Sequence, residues 1–210
     1  MIVIINPNST QSMTDAMVET AHWAAPDAHV VGWTSTDGPP AIQGEADGDA
    51  AIPPLLDLVK KADKAGARVI IIGCFDDTGL NAARALAACP VIGIGQAAYH
   101  LASLFGQRFS VVTTLEVSVP VLSANVSHYG LDRNLGRIRA SGVPVLALEH
   151  DRANATEQVR AEIRAAVRND NINSVVLGCA GMGHIVEESD DISIKLIDGV
   201  HAAVRFATML

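Results

Sequence analysis

Several things are scarce in this 210-residue chain, and each scarcity removes a class of function. No apolar run approaches the roughly 20 residues that cross a bilayer, so a membrane span is not expected. Basic residues number 15 against 23 acidic ones, a formal net charge of −8. Nucleic-acid binders normally carry a basic patch, so that partner is not expected either. Four Phe, two Trp and two Tyr are too few to build a core, which must therefore be aliphatic. The three cysteines include no CxxC pair, and the seven histidines show no metal-ligand spacing, so no metal site is expected. The opening MIVIINPNST lacks the basic start of a signal peptide and reads as a first strand. A cytoplasmic protein with reduced thiols is the expectation.

What is present is alternation. Short Val/Ile-rich runs at 2–5, 29–33, 68–72, 91–94, 110–113, 144–148, 174–177 and 195–197 read as strands buried on both faces. Between them lie amphipathic or Ala-rich stretches at 10–23, 51–65, 79–88, 96–105, 117–128 and 154–169. Such βαβ alternation predicts an α/β fold with mainly parallel sheets flanked by helices. Residues 34–50 form the one long Gly/Pro/Asp-rich loop, a candidate lid or subunit contact.

The chain also repeats itself. "RVIIIGCFDDTG" (68–79) and "SVVLGCAGMG" (174–183) each run an apolar strand into Gly-Cys, and Cys74 and Cys179 are 105 residues apart. Asn6 precedes Cys74 by 68 residues and Thr113 precedes Cys179 by 66, while Gly95 and Gly199 follow the two cysteines by 21 and 20. Two pseudo-symmetric halves account for this spacing. The expected division is residues 1–95 with a returning helix at about 199–210, and residues 96–198. Ligands of parallel sheets sit beyond the carboxyl ends of the strands. Both cysteines occupy that position, so they are expected to face each other across a cleft between the halves.

Two opposed thiols suit one chemistry. A thiolate removes a proton from one face of a carbon acid while a thiol supplies one to the other face. A helix end beyond each cysteine would favour the thiolate, whereas Asp76 and Asp77 would raise the pKa of Cys74 and oppose it. Asp77 also has an ordinary use as the cap of a helix opening at "DDTGL". Cys89, before Pro90, reads as packing, and His184 as a solvated histidine in a Gly-flanked turn. Thr113 and Thr114 end the strand that begins the second half and are candidate binding residues, although Thr is common in strands. Dehydrogenase chemistry has formal support in Gly93-x-Gly95-x-x-Ala98, with Glu116 21 residues beyond Gly95. That motif falls mid-chain and leaves the paired Gly-Cys turns without a purpose. A non-enzymatic binding module is the other alternative of a different class.

With "INPNST" at 5–10, "GCFDDTGL" at 73–80, "GIGQAA" at 93–98, "VVTT" at 111–114 and "VLGCAGM" at 176–182, the chain resembles the aspartate/glutamate/hydantoin racemase superfamily, and within it the hydantoin racemase branch. The resemblance implies a cofactor-independent isomerase, a homo-oligomer acting on a small molecule, with Cys74 and Cys179 catalytic. It also implies substrate contacts from Asn8, Phe75, Gly181 and Met182. Gln96, where relatives often carry Glu, is the one departure and is kept as a candidate binding residue. No basic residue lies within the Cys74 turn, and Asp76 can accept from a ring N–H, while Phe75 and Met182 suit an apolar substituent. A neutral 5-substituted hydantoin is therefore expected as substrate. The superfamily alternatives are an allantoin or amino-acid racemase, a maleate isomerase and an arylmalonate decarboxylase.

Overall fold

A computed structural model describes residues 1–106, 108–186 and 191–210. The strands are β1 (Ile2–Asn6), β2 (Val30–Thr34), β3 (Val69–Ile72), β4 (Val91–Gly93), β5 (Phe109–Thr113), β6 (Leu135–Ala140), β7 (Ser174–Leu177) and β8 (Lys195–Ile197). The helices are α1 (Gln11–Ala24), α2 (Glu45–Lys64), α3 (Leu80–Leu86), α4 (Ile94–Leu104), α5 (Val119–His128), α6 (Ala147–His150), α7 (Arg152–Asn169) and α8 (Gly199–Met209). The strands form two four-stranded sheets of identical topology, β2-β1-β3-β4 and β6-β5-β7-β8, and every pairing is parallel.

The continuous apolar runs became the central strands. Every residue of β1, β3, β5 and β7 is buried, because helices cover both faces of each sheet. The helices that follow the fourth strands, α4 and α8, pack on each other. Helix α4 also rests on β7 and β8 of the second sheet, and α8 on β3 and β4 of the first. One apolar cluster consequently joins the halves, with Ile4, Ile71, Tyr99, Val111, Val176 and Val204 in contact through it.

One expected strand is corrected. Residues 144–148 are not extended: Ala147 N–H and Leu148 N–H turn back onto Pro144 and Val145, and α6 begins at Ala147. The strand of this half is β6, at the sheet edge. Its sequence LGRIRA is half-exposed, and Arg139 is balanced by a two-pronged pair with Asp170 and a 2.7 Å contact to Glu162. An edge strand with a wet face does not need the unbroken apolar run that buried strands need.

The Gly/Pro/Asp-rich stretch is shorter than its composition suggests. Helix α2 starts at Glu45, with the Asp47 carboxylate accepting from the Gln43 N–H at 3.0 Å. Residues 35–44 fold over the carboxyl end of β1, where Pro39 and Pro40 carbonyls accept from Ser9 N–H and the Thr10 hydroxyl.

Candidate functional site

The glycine before each cysteine has a packing role. Gly73 extends β3 by one bond, donating to the Ile5 carbonyl at 2.8 Å, and Gly178 does the same from β7 to Val112. A Cβ on Gly73 would stand 2.6 Å from the Met17 sulfur, and one on Gly178 would stand 2.9 Å from the Thr113 Cβ. At Gly178 the Thr113 Cα and Cβ leave no room for a side chain, and at Gly73 one would have to displace the Met17 thioether, so glycine lets both turns pack closely. Each cysteine is thereby delivered past its strand end into one cavity between the two sheets. Counting its open mouth, the cavity holds about 470 Å³.

Two chemically distinct walls line it. Asn8, Asp76, Thr113, Thr114 and Ser118 are polar; Met13, Met17, Ile42, Phe75, Val145 and Ala180 are apolar. Among the described residues no Lys, Arg or His lines the cavity. Asn8 is set by Asn6, whose amide donates to Asn8 Oδ1 at 2.9 Å and to Thr14 Oγ1 at 3.1 Å and whose Oδ1 accepts the Asn8 N–H. The Thr113 hydroxyl is committed to the Gly178 carbonyl at 3.0 Å. The hydroxyls of Thr114 and Ser118 make no bond to the described residues and are left for a ligand. The loop over the mouth is joined to the second half where Val145 N–H donates to Gln43 Oε1 at 2.9 Å.

Both thiols are weak acids here. Each keeps some exposure to the cavity, yet burial dominates its acidity. Burial, and then the Asp76 charge, push the Cys74 thiol far above the ordinary range, while the Thr78 hydroxyl and the Asp76 N–H pull partly the other way. Cys179 is pushed up to about 12, first by burial, against a lowering bond from the Gly181 N–H and with further raising by Asp76, Glu149 and Asp198. The charge of Cys179 also raises Cys74, so the two sulfurs sense each other. Asp76 rises to about 7 through burial and the neighbouring Asp77. The expected help from a helix end is missing at Cys74, since α3 starts six residues later, and at Cys179 it is limited to the Gly181 N–H in the first turn of a 3₁₀ helix over Ala180–Val186. Between the two opposing effects weighed for Cys74, the raising one wins.

Asp77 does cap a helix, but not its own. Its carboxylate accepts from Gly95 N–H at 3.0 Å and Gln96 N–H at 2.8 Å, at the start of α4. Those are the donors a dinucleotide pyrophosphate would require at the Gly93-x-Gly95 turn. They are already taken, which removes the physical basis of the dehydrogenase alternative.

Of the candidate residues, the structure gathers Cys74, Cys179, Asn8, Phe75, Asp76, Thr113, Thr114 and Gly181 around the cavity. Two lie elsewhere. Gln96 turns its amide oxygen to Arg84 on the outer face, and Met182 is fully buried in the second-half core. Cys89 sits beside the first-half core with its N–H on Asp63. His184 is half-buried and shares a 2.9 Å bond with the Thr156 hydroxyl rather than lying in solvent. Asn6, Met13, Ile42, Ser118 and Val145 join the site without a signal specific enough to mark them in the sequence. Only Asn6, at a strand end two residues before Asn8, offered a hint.

The sequence model of the family described as Asp/Glu/Hydantoin racemase matches residues 2–207. A hydantoin racemase of Rhizobium meliloti is 42% identical over 211 residues, covering 100% of this chain and 88% of the relative. One from Pseudomonas sp. (strain NS671) is 36% identical, covering 98% and 84%. The solved structure of allantoin racemase from Klebsiella pneumoniae superimposes with a TM-score of 0.96 at 34% identity, over 100% of this chain and 86% of that one.

Proposed function

The chain belongs to the Asp/Glu/hydantoin racemase family, and on that premise we propose that it inverts the C5 stereocentre of neutral 5-substituted hydantoins, with Cys74 and Cys179 exchanging protons with opposite faces of the carbon. The observation that carries this reading is a cavity lined by both thiols and, among the described residues, by no cationic side chain. An amino acid would bring a free carboxylate beside Asp76 with nothing to balance it. A hydantoin brings two carbonyls and two N–H groups instead. In this reading the hydroxyls of Thr114 and Ser118, and the Asn8 amide beyond its 3.4 Å contact to the Met13 sulfur, donate to the carbonyls, and the Asp76 carboxylate accepts from a ring N–H.

Proton removal from C5 moves charge onto the adjacent carbonyl oxygen. Donors already fixed in the cavity stabilise that enolate without reorganising. One sulfur must be a thiolate for this step, which requires the hydrogen bonds from Thr78 and Asp76 N–H at Cys74, or from Gly181 N–H at Cys179, to outweigh burial once substrate is bound. The planar enolate then takes its proton from the opposite thiol. No cofactor enters this scheme.

The allantoin racemase likeness supports a second reading, in which the C5 substituent is a ureido group. The apolar wall of Met13, Ile42 and Val145 favours an apolar substituent over that polar one. Polarimetry on optically pure 5-isobutylhydantoin, allantoin and L-aspartate tests the proposal directly. The alkyl hydantoin should lose rotation fastest and aspartate should keep it. Aspartate racemised as fast as the hydantoin would sink the neutral-substrate reading.

A further inference from the structure

The turn that carries Cys74 is held from behind by the other half of the chain. Asp77 has a φ of +52°, a left-handed backbone that a residue with a side chain adopts at a cost of about 1–3 kcal/mol unless its surroundings enforce it. Here they do. Asp77 N–H closes the turn onto the Cys74 carbonyl at 3.0 Å, and Leu80 N–H closes the next one onto the Asp77 carbonyl at 3.0 Å. The Asp77 carboxylate binds the first N–H groups of α4 and, at 2.7 Å, accepts from the hydroxyl of Tyr129. A Cβ on Gly93 would lie 2.1 Å from Asp77 Oδ1, so only glycine permits this approach. Beside it, Asn125 on α5 donates its amide to the Asp76 carbonyl at 2.8 Å.

Tyr129 and Asn125 both come from the α5 region, which packs on β6 of the second sheet. Neither lines the cavity of the thiols; both face a separate solvent-open cleft on the outer side of the turn. Among the described residues the turn around Cys179 carries no equivalent carboxylate clamp: Met182, three residues on from Cys179 as Asp77 is from Cys74, is buried in apolar contacts.

We infer that Tyr129 is a positioning residue for Cys74: acting through Asp77, it holds the thiol's turn in place, so that the second half of the chain sets the reactivity of the first-half sulfur and not that of Cys179. The inference rests on reading Cys74 as one of the two reacting thiols, and its test is chosen to be readable without any substrate.

Tyr129→Phe removes one hydroxyl and keeps the ring against Tyr99 and His100. Iodoacetamide alkylation of each cysteine, followed by peptide mass spectrometry at several pH values, should show the Cys74 rate changed at least about threefold and the Cys179 rate unchanged. Racemisation kcat should fall about tenfold and KM should rise less, because the thiol and Asp76 move with the turn while Asn8, Thr114 and Ser118 stand on other elements. Asn125→Ala should move the same readouts in the same direction, and it carries the test alone if Tyr129→Phe does not fold. Equal shifts at both cysteines, or no shift at Cys74, would overturn the inference. A change confined to Cys74 in a protein that racemises no cyclic ureide would uphold the positioning role and reject the proposed reaction instead.

Discussion

The Thr78 hydroxyl donates to the Cys74 sulfur across 3.4 Å, and Cys179 has no side-chain donor of this kind among the described residues. The two thiols are therefore alike in fold position and unlike in support. Cys74 relies on Thr78 and the Asp76 N–H, Cys179 on the Gly181 N–H.

Because a bond to the charged form favours it, loss of the Thr78 hydroxyl should raise Cys74 further. Thr78→Val should slow alkylation of Cys74 at pH 9 by about three- to tenfold, the worth of one long bond to a charged sulfur. Thr78→Ser should restore the rate, and Cys179 should not respond. A Thr78→Val protein with unaltered Cys74 kinetics would show that the 3.4 Å contact does nothing.

Each thiol reaches one face of the reacting carbon, so both are needed. Cys74→Ser and Cys179→Ser should each lower racemisation by about a thousandfold, whereas Cys89→Ser should leave it unchanged. In deuterated water, product from the parent protein should carry deuterium at C5 while remaining substrate stays largely protiated early in the reaction. Each single variant should instead exchange only one enantiomer, with retention, and the two variants should choose opposite enantiomers. NMR of the C5 hydrogen on each pure enantiomer reads this out. Exchange of both enantiomers by one variant would mean that a single base serves both faces.

Stability should fall as pH rises through weak acidity. Asp198 caps α8, with Oδ1 accepting from His201 N–H at 2.6 Å, while Oδ2 is buried without a partner. Burial raises its carboxyl to about 6, partly offset by the His201 and Val200 N–H groups. The unfolded chain titrates near 3.9, so between about pH 4 and 6 the folded state holds the extra proton, and stability drops across that window and stays lower above it. Asn is an equally good cap and cannot ionise. Asp198→Asn should match the parent at pH 4 and exceed it by about 3 kcal/mol at pH 8, at roughly 1.4 kcal/mol per pKa unit. Urea denaturation at the two pH values checks it; parallel curves at both would show that Asp198 is not ionised against its surroundings.

Amino-acid order alone determined the parallel α/β architecture, the internal repeat and the identity of the two cysteines. Strands buried on both faces must be unbroken apolar runs, and a Gly-Cys step at the end of such a run is a local signature. Tertiary structure alone decided what those elements meet. Leu135–Ala140 became the edge strand because Arg139 found Glu162 and Asp170, partners 23 and 31 residues away. Asp77 left the helix three residues downstream and capped α4, because the left-handed turn and Gly93 turn its carboxylate that way. Met182 went to the core while Ile42 and Val145, on loops without pattern, closed the cavity. The acidity of the thiols was likewise undetermined by the residues beside them: it depends on burial summed over both halves, and no stretch of sequence contains that sum.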